Sequence, residues 1–237
     1  MTQKSLSLQE ILDGQIILID KPLHWSSFQT VNKLKWAILK KYKIKKIKIG
    51  HAGTLDPLAT GLLIICTGKF TKKIQQIQDA PKGYTGVITL GAATPSYDME
   101  TQVNITFPTE HITAELVKKA RMQFLGKIEQ QPPIFSALKK DGKRLYEFAR
   151  EGKDIEIKAR TVYIETLNFQ TDKLPNTLPF EVYCSKGTYI RSLADSFGRA
   201  LQSGGFLSEL RRIKIGEFSV ENALSPDDFI TKYIDNG

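Results

Sequence analysis

The sequence predicts an α+β fold with a mixed, mainly antiparallel central sheet flanked by helices and loops. Two observations carry that reading. Strand-like apolar runs outnumber helical ones, and they come in consecutive groups rather than alternating with helices as a doubly wound fold requires. The 237 residues, 41% of them hydrophobic, suffice for a substantial core, and neither an internal repeat nor a Pro/Gly/Ser linker divides the chain, so a single domain over 1–237 is expected.

In chain order, Gln15–Asp20 (QIILID) is a short apolar run ending at Lys21-Pro22, as suits a buried strand stopped by a residue that cannot donate to a ladder. Ser26 or Ser27 can cap a helix to about Lys41, with Phe28, Val31, Leu34, Ile38 and Leu39 at helical spacing. Val87–Leu90, Ile155–Ile157, Val162–Phe169 and Phe180–Cys184 read as further strands. Helices are predicted at Ala114–Phe124, ending at Gly126, at Arg191–Leu201, and after Ser225-Pro226, a capping serine with proline at the first helical position.

Charge is unevenly placed. The chain carries 34 Lys+Arg against 25 Asp+Glu, yet residues 1–80 hold a net +8 and the remaining 157 only +1. A localised contact with a polyanion is the physical implication. Lys33 to Lys48 contains eight lysines, no acid, and the aromatics Trp36 and Tyr42. Lysines this dense repel one another, and a phosphate backbone would relieve the repulsion while releasing counterions, although a solvated helix face has the same composition. No run of about 18 apolar residues exists to span a membrane, and MTQKSLSLQEILDG has neither the basic start nor the apolar run of a signal peptide. Cys66 and Cys184 lie in hydrophobic stretches and read as reduced core thiols of a cytoplasmic protein.

Several chemistries are excluded by spacing. Gly68-Lys69 looks like the end of a phosphate-binding loop, but that motif needs glycine at position 63 and Ser or Thr at 70, where this chain has Leu63 and Phe70. His24, His51 and His111 lack partners at metal-ligand spacing. Neither a nucleophile elbow nor a dinucleotide fingerprint occurs. A reaction carried by one carboxylate, with no cofactor and no metal, stays open. Residues 50–72 supply a place for it: GHAGTLDPLATGLLIICTGKFTK has glycines bracketing His51, Thr54 and Asp56, followed by Pro57 and an apolar run. The proline biases Asp56 toward an extended backbone that presents its carboxylate outward, though an ordinary Asp-Pro turn has the same sequence.

This segment closely resembles the catalytic motif of the TruB family of tRNA pseudouridine synthases, G-H-x-G-T/A-L-D-P-x-A-x-G-x-L followed by a T-K pair. Gly50 through Leu63 matches every fixed position and Thr71-Lys72 closes it. Companion pieces follow in family order: LIDKP at 18–22, KGYTGVITLG at 82–91 with Thr94 and Asp98 beyond, QQPPIFSALKKDGKRLYEFAREG at 130–152, SKGTYIRSLADSFG at 185–198 and LRRIKIGEF at 210–218.

The resemblance implies the pseudouridine synthase fold and an isomerase that converts the uridine of the tRNA TΨC loop (tRNA position 55) to pseudouridine after flipping it out. It implies Asp56 as nucleophile, Arg191 as its guanidinium partner, Tyr84 stacking on the uracil, Tyr189 lining the pocket, His51 filling the space the flipped nucleotide leaves, Leu210 as an apolar wall, and Lys21 with Pro22 supporting the loop. Lys43, Lys45, Lys46, Lys48 and Arg211, with Lys139, Lys140, Lys143 and Arg144 of an RNA-gripping insertion at about 131–153, are expected on the RNA backbone. Lys69-Phe70 departs from the acidic and small residues of many members, and only about 20 residues follow the last matched motif, so no C-terminal PUA-type RNA-binding domain is expected. A monomer with tRNA as partner, no membrane and no obligatory protein partner completes the expectation. A catalytically silent tRNA-binding folding helper and a synthase for another RNA are the competing readings.

Overall fold

The computed structural model describes residues 5–136, 139, 140, 142–150, 155 and 157–235. In chain order the elements are α1 (Leu8–Asp13), β1 (Ile16–Lys21), α2 (Ser27–Tyr42), β2 (Ile49–His51), β3 (Ala59–Thr67), α3 (Ile74–Asp79), β4 (Lys82–Leu90), β5 (Ala92–Ala93), β6 (Ile105–Thr106), α4 (Ala114–Arg121), β7 (Gly126–Gln130), β8 (Lys139–Lys140), β9 (Lys143–Arg144), α5 (Leu145–Arg150), β10 (Arg160–Phe169), β11 (Thr177–Cys184), α6 (Ile190–Ala200), β12 (Gly205–Ile215), β13 (Phe218–Ser219) and α7 (Pro226–Ile230). The fold is α+β with a mixed, mainly antiparallel sheet, as predicted. Contacts divide the chain into two compact units, Met1–Tyr84 with Leu210–Gly237, and Thr85–Glu209; the chain leaves the first within β4 and returns within β12.

In the first unit β3 is central. β1 runs antiparallel to it from Ile16↔Cys66 to Lys21↔Gly61, and β12 runs parallel to it from Leu210↔Ala59 to Arg212↔Gly61. β2 pairs with the far end of β3, His51 opposite Ile65. β3 is hydrophobic on both faces: Leu63 and Ile65 join the cluster of Ile17, Ile19, Val31, Leu34 and Ile38, while Leu62, Ile64 and Cys66 pack on the other side with Ala52 and Ile215. Such a strand reads as a continuous apolar run because it is covered twice.

α2 begins where the sequence placed it. The Ser26 side chain accepts from Gln29 N–H and the Gln29 side chain answers at the Ser26 backbone, a reciprocal capping box. Val31, Leu34 and Ile38 face the core, but Phe28 does not: it is 69% exposed. At roughly 100° per residue it sits about 90° around the helix from that buried stripe, off the buried face despite its i, i+3 spacing.

The second unit orders β4, β11, β10 and β7 in the sheet, with β10 antiparallel to both neighbours. The predicted strand at Ile155–Ile157 is corrected here: Ile155 and Ile157 carry no regular structure, and Glu156 lies outside the described residues. The physical reason is the partner. β10 pairs with β7 from Ile164↔Gly126 to Arg160↔Gln130, and past Gln130 the partner chain continues into Pro132-Pro133, which have no N–H to give. The other predicted elements form, with Ala114–Phe124 realised as α4 followed by a 3-10 turn over Met122–Phe124. Cys66 and Cys184 are buried thiols.

Candidate active site

The segment from Gly50 to Leu58 runs from the end of β2 through the loop to β3, and buried hydrogen bonds hold its backbone. Ala52 N–H donates to Ile64 O at 2.8 Å. Ser27, buried at the start of α2, clamps Leu55 in both directions: its Oγ accepts from Leu55 N–H at 2.8 Å and donates to Leu55 O at 3.1 Å. On either side of Asp56 the buried Leu55 side chain and a turn closed by Ala59 N–H on Asp56 O (3.0 Å) fix the backbone. His24 N–H donates to Pro57 O at 2.8 Å, tying the turn after β1 to the same place. Asp56 itself is half-buried.

Beneath the loop lies Arg212. It is 2% exposed, and its guanidinium donates to Leu62 O (2.8 Å), Gly53 O (3.1 Å) and Thr54 O (3.4 Å). It also hydrogen-bonds the Tyr84 hydroxyl. Burial pulls the Arg212 pKa down, while Tyr84 and Asp56, both close by, pull it up. The approach of β12 to β3 depends on Gly61: at φ +100° a Cβ would lie 2.3 Å from Arg212 O.

Lys21 is the second buried cation. Its Nζ donates to Pro22 O at 2.9 Å and Trp25 O at 2.6 Å. Burial lowers its pKa to about 8, Asp56 works against that shift, and Arg212 adds to it. The adjacent residues behave oppositely: Arg211 makes a bidentate pair with Asp20 (3.0 and 2.6 Å) that is partly exposed. On the two strands that flank β3, therefore, Asp20 and Arg211 stay near solvent while Lys21 and Arg212 are sunk under the loop, as the two-residue strand period requires.

His51 is half-buried, its Nδ1 is buried without a hydrogen-bond partner, and burial lowers its pKa, reinforced by Arg212 and opposed by the Gly53 backbone. Leu210, half-buried, stands opposite Ala59 in the β12–β3 register. The first unit thus brings Asp56, Tyr84, Lys21 and the unpredicted Arg212 into mutual range.

The second unit carries the other predicted pocket residues. Arg191, in the first turn of α6, is 5% exposed; its Nη1 is 3.6 Å from Asp98 Oδ2 and donates to Ser96 O at 3.4 Å. The loop that presents Asp98 is tied by Thr94 Oγ1 donating to Asp98 O (2.7 Å) and by Glu100 N–H donating to Asp98 Oδ1 (2.9 Å). Tyr189 exchanges two hydrogen bonds with the Gln130 side chain through its backbone (2.7 and 3.0 Å), and the Arg160 guanidinium lies 4.4 Å from its ring centroid.

These arrangements bear on identity when set beside known proteins. A family model described as TruB family pseudouridylate synthase (N terminal domain) matches residues 40–190. The chain belongs to that family. "tRNA pseudouridine synthase B" of Flavobacterium johnsoniae is 59% identical over 217 residues, covering 91% of this chain and 94% of the relative. The protein of the same name from Parabacteroides distasonis is 47% identical over 228 residues, covering 95% and 97%. Among solved structures, a chain of a Cbf5-Nop10-Gar1 complex matches with TM-score 0.69 at 27% identity over 94% of this chain. A chain of an H/ACA RNP bound to a substrate RNA containing 2'-deoxyuridine matches with TM-score 0.65 at 25% identity over 93% of it. This TruB-family chain spans about half the length of those two, 55% and 53%.

Of the residues expected on RNA, Lys43, Lys45, Lys46 and Lys48 are all exposed in the loop between α2 and β2, Lys43 ending the helix with a left-handed φ of 51°. Lys143 is exposed. The side chains of Lys139, Lys140 and Arg144 lie outside what the structure describes, as do Ala137, Leu138, Asp141 and 151–154 of the expected insertion. Among the described residues no helix is long and apolar enough to cross a membrane. No strand is predicted from the sequence at 210–215; once one is known there, adjacency alone puts Arg211 and Arg212 on opposite faces.

Proposed function

We propose that the protein isomerises the TΨC-loop uridine of tRNA, position 55, to pseudouridine, with Asp56 as the catalytic aspartate and the chain acting alone. The observation that carries this is the pinned Gly50–Leu58 loop, which matches the family motif at every fixed position and presents Asp56 beside buried Arg212 and Tyr84. The reaction breaks the N1–C1′ bond, turns the uracil in place, joins C5 to C1′ and discards the C5 proton, so atoms balance without redox change or energy source. A carboxylate assists at the sugar, by attaching to it or by taking a ribose proton.

The remaining roles follow the family pattern. By the family pattern Arg191 is the guanidinium partner of the Asp56 carboxylate, a residue type that suits bidentate pairing. Tyr84 and Tyr189 hold the extruded base, and stacking worth about 1–3 kcal/mol per base helps offset its removal from the RNA. His51, neutral at physiological pH because burial lowers its pKa, fills the vacated space without adding charge, and Leu210 walls the pocket. Lys43, Lys45, Lys46 and Lys48, together with Arg211 and the basic residues at 139–144, contact phosphates.

The test is tritium release from tRNA carrying uridine labelled at C5, using the purified chain alone. Wild type releases tritium and Asp56→Asn does not, while tRNA affinity stays within a few fold. Wild-type protein that releases none from tRNA overturns the reading, and mapping the product to another uridine overturns the assignment to position 55.

A further inference from the structure

The two most exposed large hydrophobic side chains among the described residues, Phe28 at 69% and Trp36 at 68%, both lie on α2. A single exposed aromatic needs no explanation. Two on one helix, with lysines recurring from Lys33 onward, form a pattern. Trp36 points almost opposite the Val31–Leu34–Ile38 stripe, with Lys33 one turn before it and Lys40 one turn after; Lys35 lies two turns from Phe28 on nearly the same meridian.

The helix is fixed relative to the Asp56 loop. Ser27, the residue before Phe28, holds Leu55 by two hydrogen bonds, and Leu55 precedes Asp56. From that anchor α2 rises about 1.5 Å per residue, which puts Phe28 beside the loop and Trp36 about 12 Å further along. The far end of the helix opens onto the exposed Lys43–Lys48 loop. A cleft of about 580 Å3 lies beside Trp36, lined also by Lys33, Lys40, Lys41, Asp227 and Asp235. That is a ligand-sized volume. Asp227 neutralises Lys33 at 2.8 Å, so Lys35 and Lys40 are the cations the face contributes.

We propose that the outer face of α2 is an RNA-docking rail, on which unpaired bases of the substrate tRNA stack on Phe28 and Trp36 while Lys35 and Lys40 hold the phosphates between the Asp56 loop and the Lys43–Lys48 loop. Charge selects the occupant. The stretch 33–48 has eight lysines and no acid, and beside Trp36 the cations Lys33, Lys35, Lys40 and Lys41 outnumber Asp227 and Asp235, which suits a polyanion; aromatic faces with cations near them suit unpaired nucleotides of any sequence. The rail rests on the tRNA substrate proposed above and adds to it a site outside the reacting pocket.

The experiment uses Phe28→Ala, Trp36→Ala and the double variant of the full chain, with unmodified substrate tRNA as probe. Both side chains are exposed, so thermal melting should match wild type. Each single variant should weaken tRNA binding about 5- to 100-fold, while the single-turnover rate at saturating tRNA stays unchanged. As a second readout, Trp25→Phe leaves Trp36 as the sole tryptophan, and its fluorescence should be quenched when tRNA binds. Affinity of the double variant within twofold of wild type, or no quenching, overturns the rail while leaving the proposed function intact. Tight tRNA binding that depends on the aromatics but yields no pseudouridine would support the rail and overturn the function. Wild-type protein that binds no tRNA overturns both.

Discussion

Two loops, 43–48 and 50–58, lie side by side in the chain and are built on opposite principles. In the first, Lys43, Lys45, Lys46 and Lys48 are exposed, and a left-handed residue at the end of α2 turns the chain away from the helix. In the second, buried donors fix the backbone: Arg212 on Gly53 O and Thr54 O, and Ser27 on Leu55. The contrast matches the roles proposed for each. Phosphate binding needs charge at the surface and tolerates imprecise placement, because the attraction is long-ranged and carries no sequence information. A reacting carboxylate needs its backbone held to a fraction of an ångström, because misplacement by about 1 Å costs about 100-fold in rate.

The sharpest way to break this contrast is to make the second loop as loose as the first. Arg212→Met leaves the carbonyls of Gly53, Thr54 and Leu62 without their buried donor and strips Tyr84 of its hydrogen bond. We expect destabilisation of about 3–5 kcal/mol by urea unfolding. Arg212→Lys keeps the charge but cannot reproduce a fork that reaches three carbonyls. It should stay folded, lose at least about 100-fold in single-turnover rate and bind tRNA within a few fold of wild type. A lysine variant with wild-type turnover would mean that Arg212 supports the fold and not the position of Asp56.

A smaller effect separates the buried charge of Lys21 from those at the surface. Its folded pKa of about 8 lies below the 10.5 of a free lysine. At pH 7 the side chain is charged in both states and its burial opposes folding. As pH rises through 8 the folded protein releases the proton while the unfolded chain keeps it until about 10.5, so the unfolded state binds more protons and stability rises across that window. The gain is on the order of 3 kcal/mol over the full window. Compared with Lys21→Met, wild type should gain relative unfolding free energy between pH 7.5 and 10; a pH-independent difference would show that Lys21 carries no strained charge.

Legibility in the sequence follows the same divide. The Asp56 loop and the start of α2 were readable because glycines, an Asp-Pro pair and a capping serine each have a local physical meaning that survives folding. Arg212 was not, because in a chain with 34 basic residues a second arginine beside Arg211 looks like more surface charge; only the parallel pairing of β12 with β3, a long-range event, turns it inward. Phe28 failed in reverse, its spacing apolar but its meridian outside the buried stripe. Ile155–Ile157 failed because a strand needs a partner, and the prolines after Gln130 deny it one. Arg191 and Tyr189 were found through their motif; Asp98 and Gln130 lay in matched segments too, but that they hold Arg191 and Tyr189 shows only when distant segments meet.

The smallest effect, and the one most specific to the first loop, concerns salt. If Lys43, Lys45, Lys46 and Lys48 only neutralise phosphates, replacing all four with glutamine should leave the single-turnover rate at saturating tRNA and the melting temperature unchanged, since all four are exposed. What should change is the dependence of tRNA affinity on ionic strength. Each lost phosphate contact removes about 0.7–0.9 from the slope of log K against log salt, so the variant should bind more weakly at low salt and converge on wild type as salt rises. A slope unchanged by four substitutions would return these lysines to an ordinary solvated face. A slope that flattens while turnover also falls would join the two loops into one device, since surface charge would then be holding Asp56 in place.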